Sequence, residues 1–545
     1  MKIKTCILTL SLFVVACYTQ FKNFLSVPGL HFDEAWQAML AHQIATEEGF
    51  FPFSAMNSYT SPILHYLLAL VFHFTNPNLE VLRGFLGGIN LLTLFLIFLW
   101  IWFLNEKKTA WWFLLLWALL PLSVHNHRFY IEVTVFHGFC FSLLLWGLFL
   151  WNKKPSLSFG LLSLSTLAGI YSHILYVAVF LSGLFILARS FPQEFRSLRN
   201  RMLIALICIL TTPITLRMGI ELKKSSPFLL LLLLLSLAII SIFYKNIWNR
   251  FPRFAIRSTR WIFFIVLPFL LIYVAMFWNG FWPYAQATGH LKLWWLPINV
   301  LVFLSALLLQ YTKRLRTSEH QAREKWHLIH SIMSDLHHAN PLAVTWKAFL
   351  IMLFLMSLLI FKPSPRYYMI PTILAMLWCS QRLARIHSKK IIWIVAFCFF
   401  TWNLFCFEKF YINQFEKAGP VNSEFKLWIF HDSGRDFRPI QKTFNWLIQH
   451  NCQHELQWTE NDRFLLPLRF LQLRAPTATG VCPWSKEELF LSTMPDPTNP
   501  NLPPYEHVKF LAHEKTWGDL AFWLRKSIKY QEHLHDVNAT KYNEK

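Results

Sequence analysis

Long apolar runs separated by short polar segments fill the first 407 residues of the chain. A helix that crosses a bilayer needs about 20 mostly apolar residues, with a working range of about 17 to 25. Runs that reach or approach this length fall at 5–21, 84–104, 110–124, 137–151, 157–170, 174–189, 202–217, 227–244, 261–278, 293–310, 347–361, 368–384 and 391–407. The pattern predicts an α-helical polytopic membrane protein of about thirteen spans, with its two ends on opposite faces. One stretch breaks the alternation: residues 62–74 (PILHYLLALVFHF) are too short to cross, begin at Pro62 and carry His65 and His73. A helix lying in the outer interface is expected there. After Phe407 the apolar runs stop, and residues 408–545 are expected to form a soluble mixed α/β domain. Its signals are a strand-like KLWIF at 426–430 and a helical face of Phe437, Ile440, Phe444, Leu447 and Ile448.

Charge fixes the sidedness. Only 15% of the 545 residues are charged, against about 25% in a typical soluble domain, yet the formal net charge is +22. Such an excess can mark a nucleic-acid binder, but here it is segregated. Alternate inter-span segments hold 25 Lys and Arg against five acidic residues. The intervening ones hold nine basic residues (Lys22, Arg83, Arg128, Arg217, Lys223, Lys224, Lys292, Lys362 and Arg366), and residues 408–545 are balanced. Short cytoplasmic loops collect Lys and Arg. The pattern therefore predicts a cytoplasmic N-terminus and an extracytoplasmic (periplasmic) C-terminal domain in the inner membrane, with lipids and not nucleic acid as the charge partner. Lys2, Lys4 and the Val14-Val15-Ala16-Cys17 box also fit a lipoprotein signal; an uncleaved first helix is the expectation. Cys452 and Cys482 fall in an oxidising compartment, where pairing and two free thiols both remain open.

Ionisable groups are nearly absent from the apolar runs, which disfavours an ion or proton path through the middle. The acidic residues of the membrane part lie in loops, and the first outside loop, residues 22–83, is the most informative. There Asp33-Glu34 opens an Ala-rich helix expected to run to Glu48 and to be closed by Gly49, with Trp36, Met39, Leu40 and Ile44 on one face. Read structurally, Asp33 is a helix N-cap and Glu34 a favourable first-turn charge. Neither reading explains an acidic pair at the first membrane exit with a short apolar helix behind it.

The order first span, Asp-Glu, surface helix, Pro-led apolar helix, Arg, second span resembles the polyprenyl-phosphate-sugar-dependent glycosyltransferases of the GT-C class. The nearest subgroups are the bacterial protein mannosyltransferases and the lipid A aminoarabinose transferases. The stretches that carry the resemblance are HFDEAWQAMLAHQIATEEGFF, SPILHYLLALVF, NLEVLRGFLGGINLLTLFLIFLW, HNHRFYIEVTVF and SPRYYMIPTILAML. Residues 190–345 are similar only in hydropathy. The resemblance implies a catalytic module over 1–407. In that module a sugar leaves a lipid phosphate carrier at the outer leaflet and passes, with inversion, to an acceptor whose identity the sequence does not specify. Asp33 matches the catalytic base with Glu34 beside it, and Glu132 stands near the second acidic position. Arg83, Arg128, Arg366, Tyr367, Lys362 and His65 are candidates for holding substrate, the cations because a departing phosphate needs positive charge. The resemblance departs at Thr60-Ser61, where a Glu-Lys pair or a His-Pro-Pro element is expected, so the acceptor and metal ligand do not carry over. A divalent ion is a candidate cofactor without recognisable ligand spacing. Two other classes compete: a transporter or flippase, which predicts charged span centres, and a polysaccharide polymerase or ligase, which predicts its key residues in a large late loop.

Overall fold

The computed structural model describes residues 3–244 apart from 26–29, 31, 56–59, 129, 152, 191–196 and 224, residue 352, residues 365–412 apart from 387, and parts of 444–526. Within these residues the chain is mostly helical. The N-terminal half runs α1 (Ile3–Phe21), α2 (Phe32–Thr46), α3 (Ile63–Phe74), α4 (Leu79–Phe103), α5 (Lys107–Leu119), α6 (Pro121–His127), a π-helical turn (Glu132–Phe136), α7 (His137–Leu150), α8 (Pro155–Ser172), α9 (Tyr176–Ser190), α10 (Leu198–Leu222) and α11 (Ser225–Phe243). The later part adds a 3-10 turn (Pro365–Tyr368), α12 (Met369–Ala384), α13 (Lys389–Cys406), a second π-helical turn (Phe407–Ile412) and α14 (Leu466–Gln472). Three strands, β1 (Phe490–Ser492), β2 (His507–Ala512) and β3 (Phe522–Lys526), pair antiparallel in the order β1-β3-β2.

Four described helical segments are long and apolar enough to cross a bilayer: Leu79–Phe103, Glu132–Leu150, Leu198–Glu221 and Lys390–Lys409. The expected thirteen crossings are thus not shown. The stretches 261–278, 293–310 and 347–361 lie outside the described residues, apart from Met352, and several other helices fall short of spanning length. The expected span 110–124 is corrected most clearly, because α5 stops at Leu119 and α6 starts at Pro121. Proline lacks the N–H that would continue the ladder and pushes the residue before it out of the α region; Leu120 accordingly takes an extended conformation, with φ −67° and ψ 126°. The C-terminal mixed domain is likewise not shown, since most of residues 408–545 lie outside the described set. Of its described pieces, α14 packs against α2, and Leu447, Leu468 and Phe470 join the same buried cluster as Leu30 and Ala35.

Packing follows from small residues where helices meet. At Gly169 a Cβ would come 2.4 Å from the Tyr176 ring, and at Gly147 it would come 2.7 Å from Leu162, so both crossings require glycine. Leu92, Phe95, Leu206, Ile209, Trp393, Ile394 and Phe397 stay exposed along three of the spanning candidates. Outward apolar rows of this kind suit hydrocarbon, not water.

Candidate functional site

The start of α2 positions the acidic pair. Asp33 and Glu34 both lie in its first turn, two and three residues past the cap position, because the helix begins at Phe32. Carboxylates there meet the unpaired N–H groups and positive end of the helix. The helix ends at Thr46, two residues before the expected end, and Gly49 follows with φ +76°, a conformation glycine adopts freely.

The two carboxylates differ in what surrounds them. Glu34 is 0% exposed; its Oε2 lies 2.7 Å from Arg83 Nη2, and its Oε1 accepts the Tyr130 backbone N–H at 3.0 Å. Arg83, also fully buried in the first turns of α4, donates its other terminal nitrogen to the Phe24 carbonyl at 2.5 Å and places its guanidinium 5.4 Å from the Tyr130 ring centre. The charge pair therefore ties the first-loop helix to the base of α4 and to the segment leading into Glu132. Asp33, next to it, is only half-buried.

Arg128 closes the neighbouring corner. Its Nη1 donates to the carbonyl of Thr19 at 2.6 Å and its Nη2 to that of Lys22 at 2.7 Å, with the rings of Phe407 and Tyr411 each 5.7 Å away. The last carbonyls of a helix have no partner in their own ladder, so a buried guanidinium at the end of α1 satisfies them and opposes the negative end of the dipole. Burial pushes the Arg128 guanidinium below its usual value, and the Tyr411 and Tyr130 hydroxyl groups oppose that shift. Around it, Gln20 Nε2 donates to the His127 carbonyl and the Tyr130 hydroxyl, both at 2.9 Å, and Asn90 Nδ2 reaches the same carbonyl at 2.7 Å. The His127 ring stacks on Trp117 at 6.1 Å.

The expected site residues divide into those that meet and those that do not. Glu34 and Arg83 meet directly, and Arg128 lies in the adjoining cluster. Glu132, half-buried, opens the π-helical turn two residues after Tyr130. The Arg-Tyr element comes to the same place from more than 200 residues away: Tyr367 packs on Ile131 and Val133, and its ring lies 5.9 Å from that of His173. Arg366 belongs to the 3-10 turn beside this contact, and Lys362 lies outside the described residues. His65 is buried on α3 with its ring 5.5 Å from Trp36, and burial lowers its pKa to about 3. Neither buried Arg points its terminal nitrogens outward: Arg83 and Arg128 spend them on Glu34 and on main-chain carbonyls.

Sequence reasoning missed Gln20 and Tyr130. Gln20 has the weak signal of a polar residue at the end of an apolar run, whereas Tyr130 contributes a main-chain N–H, which no side-chain pattern announces. Among the described residues, no three His, Cys, Asp or Glu side chains converge as a cation site, so the donor set for a divalent ion does not form there. Cys452 is disulfide-bonded, and Cys482 lies outside the described residues. Comparison with protein-family models, with curated proteins and with solved structures finds no match for this chain.

Proposed function

We propose that the chain is a GT-C-type membrane glycosyltransferase with about thirteen spans. It would work at the periplasmic face of the inner membrane, taking a sugar from a polyprenyl-phosphate carrier and passing it with inversion to an acceptor nucleophile. The observation that carries this reading is the Glu34–Arg83 pair braced by the Tyr130 N–H. It gathers the acidic pair, the Arg in the first turns of α4 and the Glu132 segment at one end of the helices, and Tyr367 packs on that segment. Lys107, Lys108, Lys153, Lys154 and Arg199 belong to the other end, where Arg199 bonds the Pro155 carbonyl at 2.6 Å. A basic end opposite an acidic one is the charge separation expected of cytoplasmic and outer faces.

In the reaction, the acceptor oxygen attacks the anomeric carbon as the bond from that carbon to the carrier phosphate breaks. The acceptor's proton passes to the Asp33 carboxylate, and the polyprenyl phosphate departs as an anion. Glu34 and Arg83 are positioning residues that fix the first turn of α2 and hence the direction of Asp33. Arg128 holds the end of α1, which leaves Arg366 and Lys362 as the cations for the leaving phosphate. General-base catalysis contributes about 10² to 10⁴ in rate. Asp33→Asn in the purified protein should lower transfer from polyprenyl-phosphate sugars by that factor while preserving helical content and detergent elution. Transfer at the wild-type rate would refute the assignment.

A further inference from the structure

We propose that Gln37 is a substrate-binding residue that takes an uncharged, hydroxyl-bearing group, the ring of the transferred sugar, directly below the acidic pair. The inference rests on the glycosyltransferase reading and adds a residue to its site. Gln37 lies on α2, four residues after Asp33 and three after Glu34, and so stands about one turn beyond each of them, about 6 Å along the axis from Asp33. Its side chain is 1% exposed, and neither Oε1 nor Nε2 has a hydrogen-bond partner. Buried amides are nearly always paired, and leaving both ends of one unpaired is costly unless another group completes it. Its surroundings are otherwise committed: Glu34 is taken up by Arg83 and the Tyr130 N–H.

A second buried group with an unpartnered nitrogen lies on α3, the helix packed against α2. His65 Nδ1 on α3 has no hydrogen-bond partner, and its ring stands against Trp36, the residue before Gln37. Burial keeps that imidazole uncharged across the working pH range. Gln37 and His65 thus offer donors and acceptors without net charge, beside a half-buried indole. A hydroxyl both donates and accepts, so neighbouring hydroxyls of a sugar ring satisfy the two ends of an amide at once, while the indole suits the apolar face of the ring. An anion would require a cation that Arg83, already bonded to Glu34 and Phe24, does not supply.

The test uses full-length protein in lipid nanodiscs and the variant Gln37→Leu, which keeps the volume and removes the polar atoms. If the amide awaits a ligand, the variant should have an unchanged or higher Tm without substrate. Its KM for polyprenyl-phosphate sugars should rise about tenfold, the equivalent of one good hydrogen bond. Methyl glycosides of hexoses and pentoses should show saturation-transfer NMR signals with the wild type and none with the variant. A Tm lower by several degrees would mean that the amide is already paired, for example by a buried water, and would overturn the proposal; so would a KM within twofold of wild type. The parent reading fails separately: if Asp33→Asn transfers normally, the base assignment is lost, while the methyl glycoside signal still decides whether Gln37 holds a sugar.

Discussion

Removing either member of the Glu34–Arg83 pair should damage the fold far more than removing both. The pair is fully buried, at 2.7 Å, with the Tyr130 N–H on Glu34 and the Phe24 carbonyl on Arg83. Arg83→Met leaves a carboxylate in an apolar surrounding with one N–H, and Glu34→Gln leaves a guanidinium facing a neutral amide. Breaking a buried pair on one side costs about 3–5 kcal/mol, whereas replacing the whole pair with uncharged side chains is often neutral. Additive single effects would put the double variant about 6–10 kcal/mol below wild type; the pairing argument puts it within about 2 kcal/mol, a coupling of several kcal/mol. Reversible unfolding of the four proteins in mixed SDS micelles, followed by tryptophan fluorescence, measures the cycle. An additive result would refute the statement that these two side chains stabilise one another. Transfer separates the two roles a second way, since the stable double variant should still lose activity by losing the brace under Asp33.

Three further outcomes follow from other parts of the structure. With its pKa lowered to about 3 from 6.5, His65 binds fewer protons folded than unfolded between these values, so stability should fall as the pH drops below about 6.5, by up to about 1.4 kcal/mol per pH unit. His65→Phe should flatten that slope in thermal scans from pH 7 to pH 4.5, and an unaltered slope would show that other groups set it. Arg128→Lys keeps the charge but loses the fork that spans the Thr19 and Lys22 carbonyls; about 2–3 kcal/mol of destabilisation is expected in the same unfolding assay, and wild-type stability would refute the capping role. Gly169→Ala forces the Tyr176 ring aside and stretches its 2.9 Å contact with Ser165, which should cost about 1–3 kcal/mol. An unchanged Tm would mean that the α8–α9 crossing yields without cost.

The helices were largely legible because hydropathy records what each segment must bury, and a helix forms wherever an apolar run has no water for its peptide groups. Their interruptions were less so. Pro121 carried the warning at the end of α5, but the apolar residues on either side of it read as one run. Sequence also placed Asp33, Glu34 and Arg83 among the candidates without indicating that Glu34 and Arg83 would close on each other. A buried pair between residues 49 positions apart depends on where the intervening loop returns, and that is a property of packing. Arg128 shows the same limit: it stood among the candidates for holding substrate, yet its terminal nitrogens reach main-chain carbonyls at the end of α1. Gln37 had no signal at all, because a glutamine on an amphipathic helix is ordinarily a solvent-facing residue.

The bilayer explains how motifs scattered over the chain meet. Crossing helices must begin and end near the same two planes, so the connections at one end of them return their residues to one layer whatever the sequence distance between them. Within that layer, the end of α1 supplies carbonyls, the start of α4 supplies Arg83, and the start of α2 supplies a carboxylate at the positive end of a helix. The turn before α7 supplies a main-chain N–H, and the turn before α12 brings Tyr367 onto Ile131 and Val133. Helix termini are where backbone groups lack partners, so a layer made of helix ends is rich in unpaired donors and acceptors. Arg83 and Arg128 consume much of that surplus, bracing the scaffold in a region where water cannot. Beside them Asp33 is half-buried, and the amide of Gln37, four residues further along the same helix, is unpartnered. On the glycosyltransferase proposal, specificity and chemistry sit on α2 and its bracing sits on α1, α4 and the Tyr130 segment. Single variants in the bracing set should therefore lower stability and activity together, whereas Asp33→Asn and Gln37→Leu should lower activity alone.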